Sequence, residues 1–592
     1  MKSLLGVLLA LTCAAEGPSP SRQTPQFDIR IINGDVIDGT GRARFRADVG
    51  IRGDQIAEIG DLSRATAKVT VDARNHVVTP GFIDLLGHSE GSVLIDPNLE
   101  GKIRQGVTTE VTGEGHSPGP LSEAMAAEME RTKPPGWPPV SWRTLGEFMQ
   151  VIEKRGSAIN FAFFIGAANP REMVMGTADR APTAEELKRM QAIVDQAMRE
   201  GAIGLSTALI YPPGRFATTD ELIALARGSY WTHLRNESDN ILPALDEAFR
   251  VGRNAHVPVN TFHLKAGGAM RGHMPEIVAK IEAAQKSGLD VASNIYPYTA
   301  TATDLTSVVP AWALDGGYLA FVARLKDPDT RSRIAQAMHA GDGSSILLRQ
   351  IPSTTLKQFE RKRLNEIAAA MKTTPAEAAL RLFEGSNSSP IAIYFGLSEE
   401  DMQYALKRPW VAVGSDSGAV VGAMREAGAH PRAYGTFPRI LGHYVRDVHL
   451  FTLEEAVRKM TSLAASRAGF ADRGVLKTGM KADIVVFDPN TIADTSTYED
   501  PHHYAVGISD VIVNGTAVLR DGRMTGALTG RVVRRRLKRK TDESFASCVT
   551  PACFARRCVS RSSSSRFPFR RRPGSELVSR SAPKYTEALE KR

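Results

Sequence analysis

The order of apolar and polar residues divides the chain into two strand-rich ends and a long middle part. Near the start, FDIRIINGDVIDGTG and ADVGIRGDQIAEIGD alternate apolar with polar residues. Asn33-Gly34 and Gly53-Asp54 supply turn residues there, so hairpins of short antiparallel strands are predicted. The same alternation returns in ADIVVFDP and SDVIVNGTAVLRDGR. We therefore expect one small β-sandwich built from both chain ends, with residues 26–79 and 475–536 as its two parts.

In the middle part, residues 80–474, apolar runs of strand length alternate with amphipathic helices such as TAEELKRMQAIVDQAMREG. Eight runs qualify as buried strands: GFIDLLGH, VTTEVTGE, NFAFFIGAA, AIGLSTALI, YWTHLR, VNTFHLKA, DVASNIYPY and WVAVGSD. Eight buried strands that alternate with helices predict an α/β fold, a (β/α)8 TIM-like barrel, whose chemistry lies where the strands end. The segment between Tyr298 and Trp410 exceeds a simple crossover, and we expect this insertion to cover the site.

Both termini differ from the predicted folded body. The first residues, MKSLLGVLLALTCAA, combine a cation at Lys2, a short apolar run and small residues, which predicts a secretory signal peptide over residues 1–15. Its apolar run is too short to span a bilayer, so no membrane span is predicted and a secreted or periplasmic protein is expected. Residues 537–592 are rich in Arg and Ser without an apolar period, and we predict a disordered basic tail.

Charge and cysteine content narrow the chemistry of the folded body. The formal net charge is +9, but the segment from Arg531 onward contains 18 Lys or Arg against 5 Asp or Glu, so the rest is mildly acidic. This distribution argues against nucleic acid as a partner of the folded body, although an anionic partner for the tail stays an alternative. The body has neither a disulfide nor a thiolate metal ligand, because the cysteines lie in the leader and the tail: Cys13, Cys548, Cys553 and Cys558.

Polar side chains follow three of the predicted barrel strands. His233 ends strand five in THLRNES, His263 ends strand six in FHLKAGG, and Asp416 ends strand eight in VGSDSG. Because these ends meet at the mouth of a barrel, two imidazoles and a carboxylate are expected to converge there. Neutral imidazole suits zinc, and an open coordination position can hold water. The sequence therefore predicts a zinc constellation at the mouth, against the alternative of structural histidines.

Several longer motifs give the sequence a specific resemblance. Over Phe27 to Arg534 it resembles the N-acyl-D-amino-acid deacylase (D-aminoacylase) branch of the amidohydrolase superfamily. The resemblance is carried by PGFID, GVTTEVTGEG, GLSTALIYPPG, THLRNES, HLKAGG, NIYPYTA, VGSDSG and HPRAYGTFPR. It implies a metal-bearing barrel flanked by a small β-sandwich from both chain ends, in agreement with the pattern of strands.

The resemblance also implies roles for single residues. His233 and His263 match the two histidines that hold the tightly bound zinc, and Asp416 matches the catalytic carboxylate. Four further residues are expected to contact the substrate: Lys265, which grips the substrate carboxylate, Tyr296, Tyr211 and, as an additional cation, Arg432.

Three departures from the family pattern affect the predicted metal site. In GFIDLLGHSE, Leu86 stands where the family has the first histidine of a His-x-His pair, and only His88 remains. The bridging cysteine of the family falls on GEG, at or beside Gly115, where Glu114 is the nearest group that can bind zinc and His116 is a further candidate. The segment ELIALARGSYWTH, before strand five, is shorter than in the family, which puts the position of its histidine in question.

Because the altered positions belong to the second, weaker metal position of the family, we expect a single zinc ion. His233, His263 and Glu114 are the predicted ligands, and His88 is either a spectator or a hydrogen-bond donor beside them. The fourth position would hold the water that attacks the substrate, because zinc lowers the pKa of bound water to about 7.

The predicted function is zinc-dependent hydrolysis of a linear amide, from an N-acyl-D-amino acid to a D-amino acid and a carboxylate. The predicted partner is thus a small-molecule substrate. One alternative keeps the metal and changes the substrate to a cyclic amide or a dipeptide, as in hydantoinases and dihydroorotases. The other alternative is a catalytically impaired protein that retains only the fold.

Overall fold

The computed structural model of the chain describes residues 26–535. The predicted signal peptide, residues 1–15, and the predicted disordered tail, residues 537–592, lie outside the described residues. Between residues 26 and 535, no helix has both the length and the apolar composition needed to cross a membrane.

Eight parallel strands within residues 26–535 form a closed barrel, which confirms the predicted fold class. Each strand pairs with its neighbours along the chain, and a parallel bridge between Gly87 and Ser417 joins the eighth strand to the first. The barrel strands one to eight are Phe82–Gly87, Val107–Thr112, Asn160–Phe163 continued by Ile165–Gly166, Leu205–Ala208, Tyr230–His233, Val259–Thr261, Val291–Ile295 and Val411–Val413.

The barrel helices begin and end where local sequence chemistry requires it. In the longest of them, the Thr183 hydroxyl and the Glu186 side chain cap the first turn reciprocally, and the helix ends before Gly201, whose φ is +118°. Its apolar face packs on the barrel, as the predicted amphipathic pattern requires. The α-helices around the barrel are Ser92–Ile95, Glu100–Ile103, Glu123–Thr132, Leu145–Arg155, Ala168–Met175, Ala184–Glu200, Thr219–Leu225, Ile241–Ala255, Met274–Lys286, Glu399–Leu406, Arg432–Arg439, Leu453–Met460 and Ser462–Ala468.

Two sheets at one side of the barrel form the β-sandwich, and both chain ends contribute to it. The four-stranded sheet has the order Gln55–Gly60, Asp48–Arg52, Phe27–Ile32, Ala67–Asp72. The seven-stranded sheet has the order Arg523–Met524, Thr516–Arg520, Ile508–Val513, Ile484–Phe487, Val77–Pro80, Asp35–Val36, Phe45–Arg46. The two chain ends meet where Val486 pairs with Val78, and alternate apolar residues of both sheets fill the core between them.

One of the predicted hairpins is wrong and another is confirmed. Gly53-Asp54 joins two paired antiparallel strands, with Arg52 opposite Gln55. Asn33-Gly34, in contrast, carries the chain from the four-stranded sheet to the seven-stranded sheet. The positive φ of Asn33, 64°, changes the chain direction at this crossing. The same turn residues therefore serve a hairpin and a change of sheet, which local sequence does not distinguish.

The long segment between barrel strands seven and eight forms a small α/β subdomain. Its antiparallel sheet has the strand order Ala300–Asp304, Ile391–Phe395, Ile346–Gln350. A separate apolar core, with Phe321, Leu348 and Phe383 fully buried, holds this insertion together. Its α-helices are Gly317–Arg324, Pro328–Ala337, Leu364–Ala370 and Pro375–Glu384.

A buried ion cluster ties the first, second and eighth barrel strands together. The Lys102 ammonium lies 2.7 Å from the Asp84 carboxylate and 3.0 Å from the Glu110 carboxylate, and all three side chains are fully buried. It also donates to the Ser415 hydroxyl at 2.9 Å and the Ser417 carbonyl at 2.7 Å. Burial raises the pKa of Glu110 despite the nearby ammonium. One cation thus compensates two carboxylates beneath the strand ends that close the barrel.

Replacing Lys102 with Met should destabilise the protein strongly, because it leaves two buried carboxylates without a cation. We expect a loss of about 3–5 kcal/mol and a clear fall in the thermal unfolding temperature. Lys68→Met is the matched control, since Lys68 pairs with Asp28 at the surface and should contribute less than about 1 kcal/mol. Equal melting temperatures for the two variants would contradict a structural role of the buried cluster.

Candidate metal centre

Two imidazoles and a carboxylate converge at the mouth of the barrel. Glu114 Oε1 lies 3.0 Å from His233 Nδ1 and 3.1 Å from His263 Nε2, and the two rings are 4.5 Å apart between centroids. All three side chains are more than nine-tenths buried. Sequence reasoning named these three residues as zinc ligands, and the structure brings them together.

The GEG sequence explains how Glu114 reaches this position. After barrel strand two, the chain must pass close to strands three and four. Gly115 has a φ of +67°, and a Cβ atom there would lie 2.5 Å from the Cβ of Ala208. The Gly115 amide donates to the Ser206 hydroxyl at 3.2 Å, which fixes the turn. Glycine is therefore required beside Glu114 so that the backbone can approach strand four.

Two site residues have a backbone conformation that side chains rarely adopt. The φ angles of His263 and Asp416 are +36° and +49°. The His263 amide donates to the Asn294 side chain, and the Asp416 amide donates to the Leu86 carbonyl, both at 2.7 Å. Such strained conformations cluster at functional sites, where the surrounding structure holds them in place. Here these residues lie just beyond barrel strands six and eight, and both side chains lie at the mouth.

A second group of possible ligands lies on the other side of Glu114. His88 Nε2 is 3.3 Å from both Glu114 Oε2 and Asp416 Oδ1. The other oxygen of Asp416 lies 2.8 Å from Arg432 Nη1. His88 therefore bridges Glu114 and Asp416, while Arg432, expected from the sequence to face substrate, first contacts Asp416.

The structure shows where the three departures from the family pattern lie relative to the metal cluster. Leu86 is 1% exposed and packs in the apolar barrel interior, so it offers no ligand. His116 is half exposed and lies 3.5 Å from Glu172, away from the cluster. The short segment before strand five forms the helix Thr219–Leu225 and a four-residue link, which still delivers His233 to the mouth.

Glu237 is the main site residue that sequence reasoning missed. Its carboxylate lies 3.2 Å from His233 Nε2, 3.0 Å from His263 Nδ1 and 3.0 Å from the Lys265 ammonium. Its negative charge thus lies beside the ring nitrogens that point away from Glu114. Within residues 26–535, His233 Nε2 forms no hydrogen bond, and His263 Nδ1 is hydrogen-bonded to the Lys265 ammonium at 3.0 Å. The signal in the sequence was its position four residues after His233 in THLRNES, directly beyond a strand end.

Three predicted substrate-contacting residues surround the cluster. The Tyr296 ring lies between two cations, 5.7 Å from Lys265 Nζ and 4.7 Å from the Arg432 guanidinium. Its buried hydroxyl has no hydrogen-bond partner among residues 26–535. The Tyr211 ring packs edge-on against His233 at 5.7 Å, and its hydroxyl bonds the Thr303 hydroxyl of the insertion.

The electrostatics of the cluster favour added positive charge. Burial disfavours the ionised form of Glu114, but His263, His233 and His88 outweigh it and hold its pKa well below the usual value. Burial likewise disfavours the His233 imidazolium, yet Glu237 and Glu114 raise its pKa to about 9. The carboxylates thus stabilise protons on the histidines, in places where a divalent cation could supply the charge instead.

The donor set fits zinc. Four ligands about 2.0 Å from a tetrahedral zinc ion are about 3.3 Å apart, close to the separations of the Glu114, His233 and His263 atoms. Their candidate ligand atoms all lie within 4.8 Å of one another, and so do those of His88, Glu114 and Asp416. Imidazole nitrogens and a carboxylate oxygen are ligands that zinc accepts.

Comparisons with known proteins agree with this geometry. A family model described as the amidohydrolase family matches residues 231–519. A D-aminoacylase from Alcaligenes xylosoxydans xylosoxydans is 38% identical over 86% of this chain and 98% of its own length.

Two solved structures share the fold. An N-acyl-D-glutamate deacylase from Bordetella bronchiseptica, complexed with zinc and a phosphonate mimic of the tetrahedral intermediate, is 33% identical. It covers 86% of this chain and 100% of its own, with a TM-score of 0.72. A D-aminoacylase structure is 37% identical over the same shares, with a TM-score of 0.74. It was described for a binuclear metal centre with one-metal activation and second-metal attenuation.

Glu237→Gln should weaken zinc binding, because it removes the negative charge that contacts the outer nitrogens of both histidines. Loss of such an outer partner typically costs ~10- to 100-fold in metal affinity. The measurement is competition for zinc with a chromogenic chelator. Glu172→Gln, beside the half-exposed His116, makes the same change outside the cluster and should leave the affinity unchanged. Wild-type affinity in Glu237→Gln would remove Glu237 from the metal centre.

Proposed function

The chain belongs to the D-aminoacylase branch of the amidohydrolases, and on this premise we propose that it hydrolyses N-acyl-D-amino acids to a D-amino acid and a carboxylate with one zinc ion. It is a metal-dependent enzyme that acts on amide bonds. The observation that carries the proposal is the convergence of Glu114, His233 and His263 beside the carboxylate of Asp416.

Glu114, His233 and His263 would hold the zinc ion. When bound, zinc supplies a Lewis acid that acidifies water and polarises the scissile carbonyl. Glu237 places a negative charge 3.2 and 3.0 Å from the outer nitrogens of the two imidazoles, which strengthens them as ligands. Burial of these groups keeps bulk water away and strengthens their electrostatic interactions.

Asp416 acts as the general base and then as the general acid. Burial opposes its ionisation, but Arg432, His263 and His88 hold the pKa of Asp416 well below the usual value, so it is ionised at neutral pH. Its Oδ1 faces His88 at 3.3 Å, on the side of the metal cluster. The carboxylate accepts a proton from the attacking water and returns it to the departing amide nitrogen, while Arg432 holds its other oxygen.

Lys265, Tyr296 and Tyr211 position the substrate. The Lys265 ammonium and the unpaired Tyr296 hydroxyl offer donors to the α-carboxylate. Tyr211 packs against His233 and limits the space next to the reacting amide. When the α-carboxylate and the amide of the substrate are both held, the substrate side chain on the chiral carbon can point in only one direction. The enzyme therefore accepts only one enantiomer.

A single ion is proposed for this chain although a similar D-aminoacylase has a binuclear centre. Leu86 fills a position in the apolar barrel interior and brings no donor. Arg432 already compensates the charge of Asp416, which reduces the electrostatic gain of a second cation beside His88. These contacts support one well-held ion and a weak second position.

We further propose that the enzyme acts outside the cytoplasm, as a secreted or periplasmic protein. The support is the leader MKSLLGVLLALTCAA, which has the cation, apolar run and small residues of a signal peptide.

Asp416→Asn should reduce turnover by ~10³-fold or more while zinc stays bound, because the amide cannot accept the proton of water. The assay follows hydrolysis of N-acetyl-D-methionine, with hydantoin as the cyclic competitor and zinc content measured on the same sample. Glu172→Gln is a control outside the site. Wild-type turnover in Asp416→Asn would exclude Asp416 as the base, and hydrolysis of hydantoin alone would overturn the substrate assignment.

Leu86→His should give the protein a second bound zinc ion, because it adds an imidazole two residues before His88, and side chains two positions apart on an extended strand lie on the same face. Wild-type protein is expected to retain one zinc per chain after extensive dialysis, and the variant two. Leu86→Met, which adds no imidazole, serves as the control. Two zinc ions per chain in the wild-type protein would contradict the one-ion site.

A further inference from the structure

A cavity of about 730 Å³ lies between the insertion and Glu237, whose carboxylate contacts both histidines of the metal cluster. Lys265 and Tyr211 line it on the side of the candidate metal cluster, and Thr306, Tyr394 and Leu397 line it from the insertion. The substrate's α-carboxylate would occupy only the end near Lys265. The cavity is therefore large enough to accept further substrate groups, and its wall selects their chemistry.

The cation Arg215 lies on this wall. It belongs to the short 3₁₀ turn Gly214–Phe216, which directly follows the Tyr211 segment after barrel strand four. Its amide donates to the Tyr211 carbonyl at 2.8 Å, so its backbone is one turn from a residue that touches His233. The side chain is half-buried, and among residues 26–535 its guanidinium forms no hydrogen bond and no ion pair, with Asp179 acting on it only from beyond ion-pair distance.

The neighbouring Arg235 differs from Arg215 in that its guanidinium forms an ion pair. It also lines the cavity, but Glu247 holds its guanidinium with contacts of 2.8 and 2.9 Å. Arg235 donates in addition to the carbonyls of Arg215 and Ala217, at 2.7 and 2.8 Å. Arg235 is thus an ion-paired structural cation that holds the turn, whereas Arg215, on the turn itself, forms no ion pair within residues 26–535.

Burial and the charge of Arg235 lower the pKa of Arg215, and the more distant Asp179 offsets this only in part. The acidic residues of the cavity wall already contact groups other than Arg215. Glu237 contacts His233, His263 and Lys265, and Asp239 accepts the Ala269 amide at 2.8 Å. Keeping a half-buried guanidinium without a direct ion pair is costly, and a ligand anion bound to it would relieve that cost.

We infer that the substrate carries a second anionic group besides its α-carboxylate, and that Arg215 binds this group. This inference rests on the proposed function and names its substrate class, N-acyl-D-amino acids with an additional carboxylate. The second carboxylate is either on the side chain, as in N-acetyl-D-glutamate, or on the acyl group, as in N-succinyl-D-methionine.

One residue of the insertion, Asp304, would instead favour a substrate with a positively charged distal group. Asp304 of the insertion contacts no cation within residues 26–535, and burial raises its pKa to about 6. If Asp304 rather than Arg215 met the distal group, a cationic side chain would be preferred. Asp304 does not line the cavity, whereas Arg215 does, so the anionic class is the better match.

The test compares kcat/KM for four substrates: N-acetyl-D-glutamate, N-succinyl-D-methionine, N-acetyl-D-methionine and N-acetyl-D-lysine. We expect one of the two dianionic substrates to exceed N-acetyl-D-methionine by at least ~10-fold, and that substrate identifies the position of the second carboxylate. In Arg215→Leu this preference should fall by ~10- to 100-fold. Arg215→Lys should restore part of it, because the charge is kept.

Arg250→Leu is the matched control, since Arg250 pairs with Asp220 at the surface, and it should keep the wild-type preference. A preference for N-acetyl-D-methionine or N-acetyl-D-lysine would overturn the inference and leave the deacylase function intact. An unchanged preference in Arg215→Leu would remove Arg215 from the specificity site. Failure to hydrolyse any of the four substrates would overturn the proposed function itself, and the inference with it.

Discussion

One buried carboxylate determines how the mouth of the barrel is built. Glu114 contacts three imidazoles, those of His88, His233 and His263, which come from three different barrel strands. Because burial weakens the screening of its charge, this carboxylate attracts protons or cations strongly. Without it, the three rings would have no common partner. The GEG turn that carries Glu114 is thus as important to the site as the histidines themselves.

The sequence was sufficient to predict the barrel and most residues of the metal cluster. Eight apolar runs predicted eight strands, and the parallel order places their ends at one mouth. His233, His263 and Asp416 could be named because each lies at or within three residues of the end of a barrel strand. Glu114 could be named only by its proximity to the place of a missing cysteine, and the structure brings it into contact with both histidines.

Other parts of the site depend on contacts that no local pattern encodes. Glu237 lies in a loop, and its contact with two rings follows from the path of that loop. The pairing of Arg432 with Asp416 joins residues 16 positions apart, across a segment whose only helix within the described residues is the short 3₁₀ helix Gly422–Glu426, so the contact is defined only by the folded chain. The Lys102 cluster joins side chains from the first, second and eighth strands, so its charges compensate one another only after the barrel closes.

The barrel and the loops around its mouth have different roles in the site. The barrel supplies the rigid ligands and the base, because strand ends hold side chains precisely where packing fixes the backbone. The insertion and the loop after strand four form the wall of the cavity, where substrate groups beyond the amide are selected. Loops can change without disturbing the barrel, so specificity can vary among relatives while the metal centre is retained.

The most direct test is anomalous diffraction at the zinc absorption edge from crystals of the zinc-loaded protein. A single strong peak is predicted, bounded by Glu114 Oε1, His233 Nδ1 and His263 Nε2. A second peak of equal height among His88, Glu114 and Asp416 would contradict the one-ion site. No peak between the two histidines would contradict the metal centre altogether.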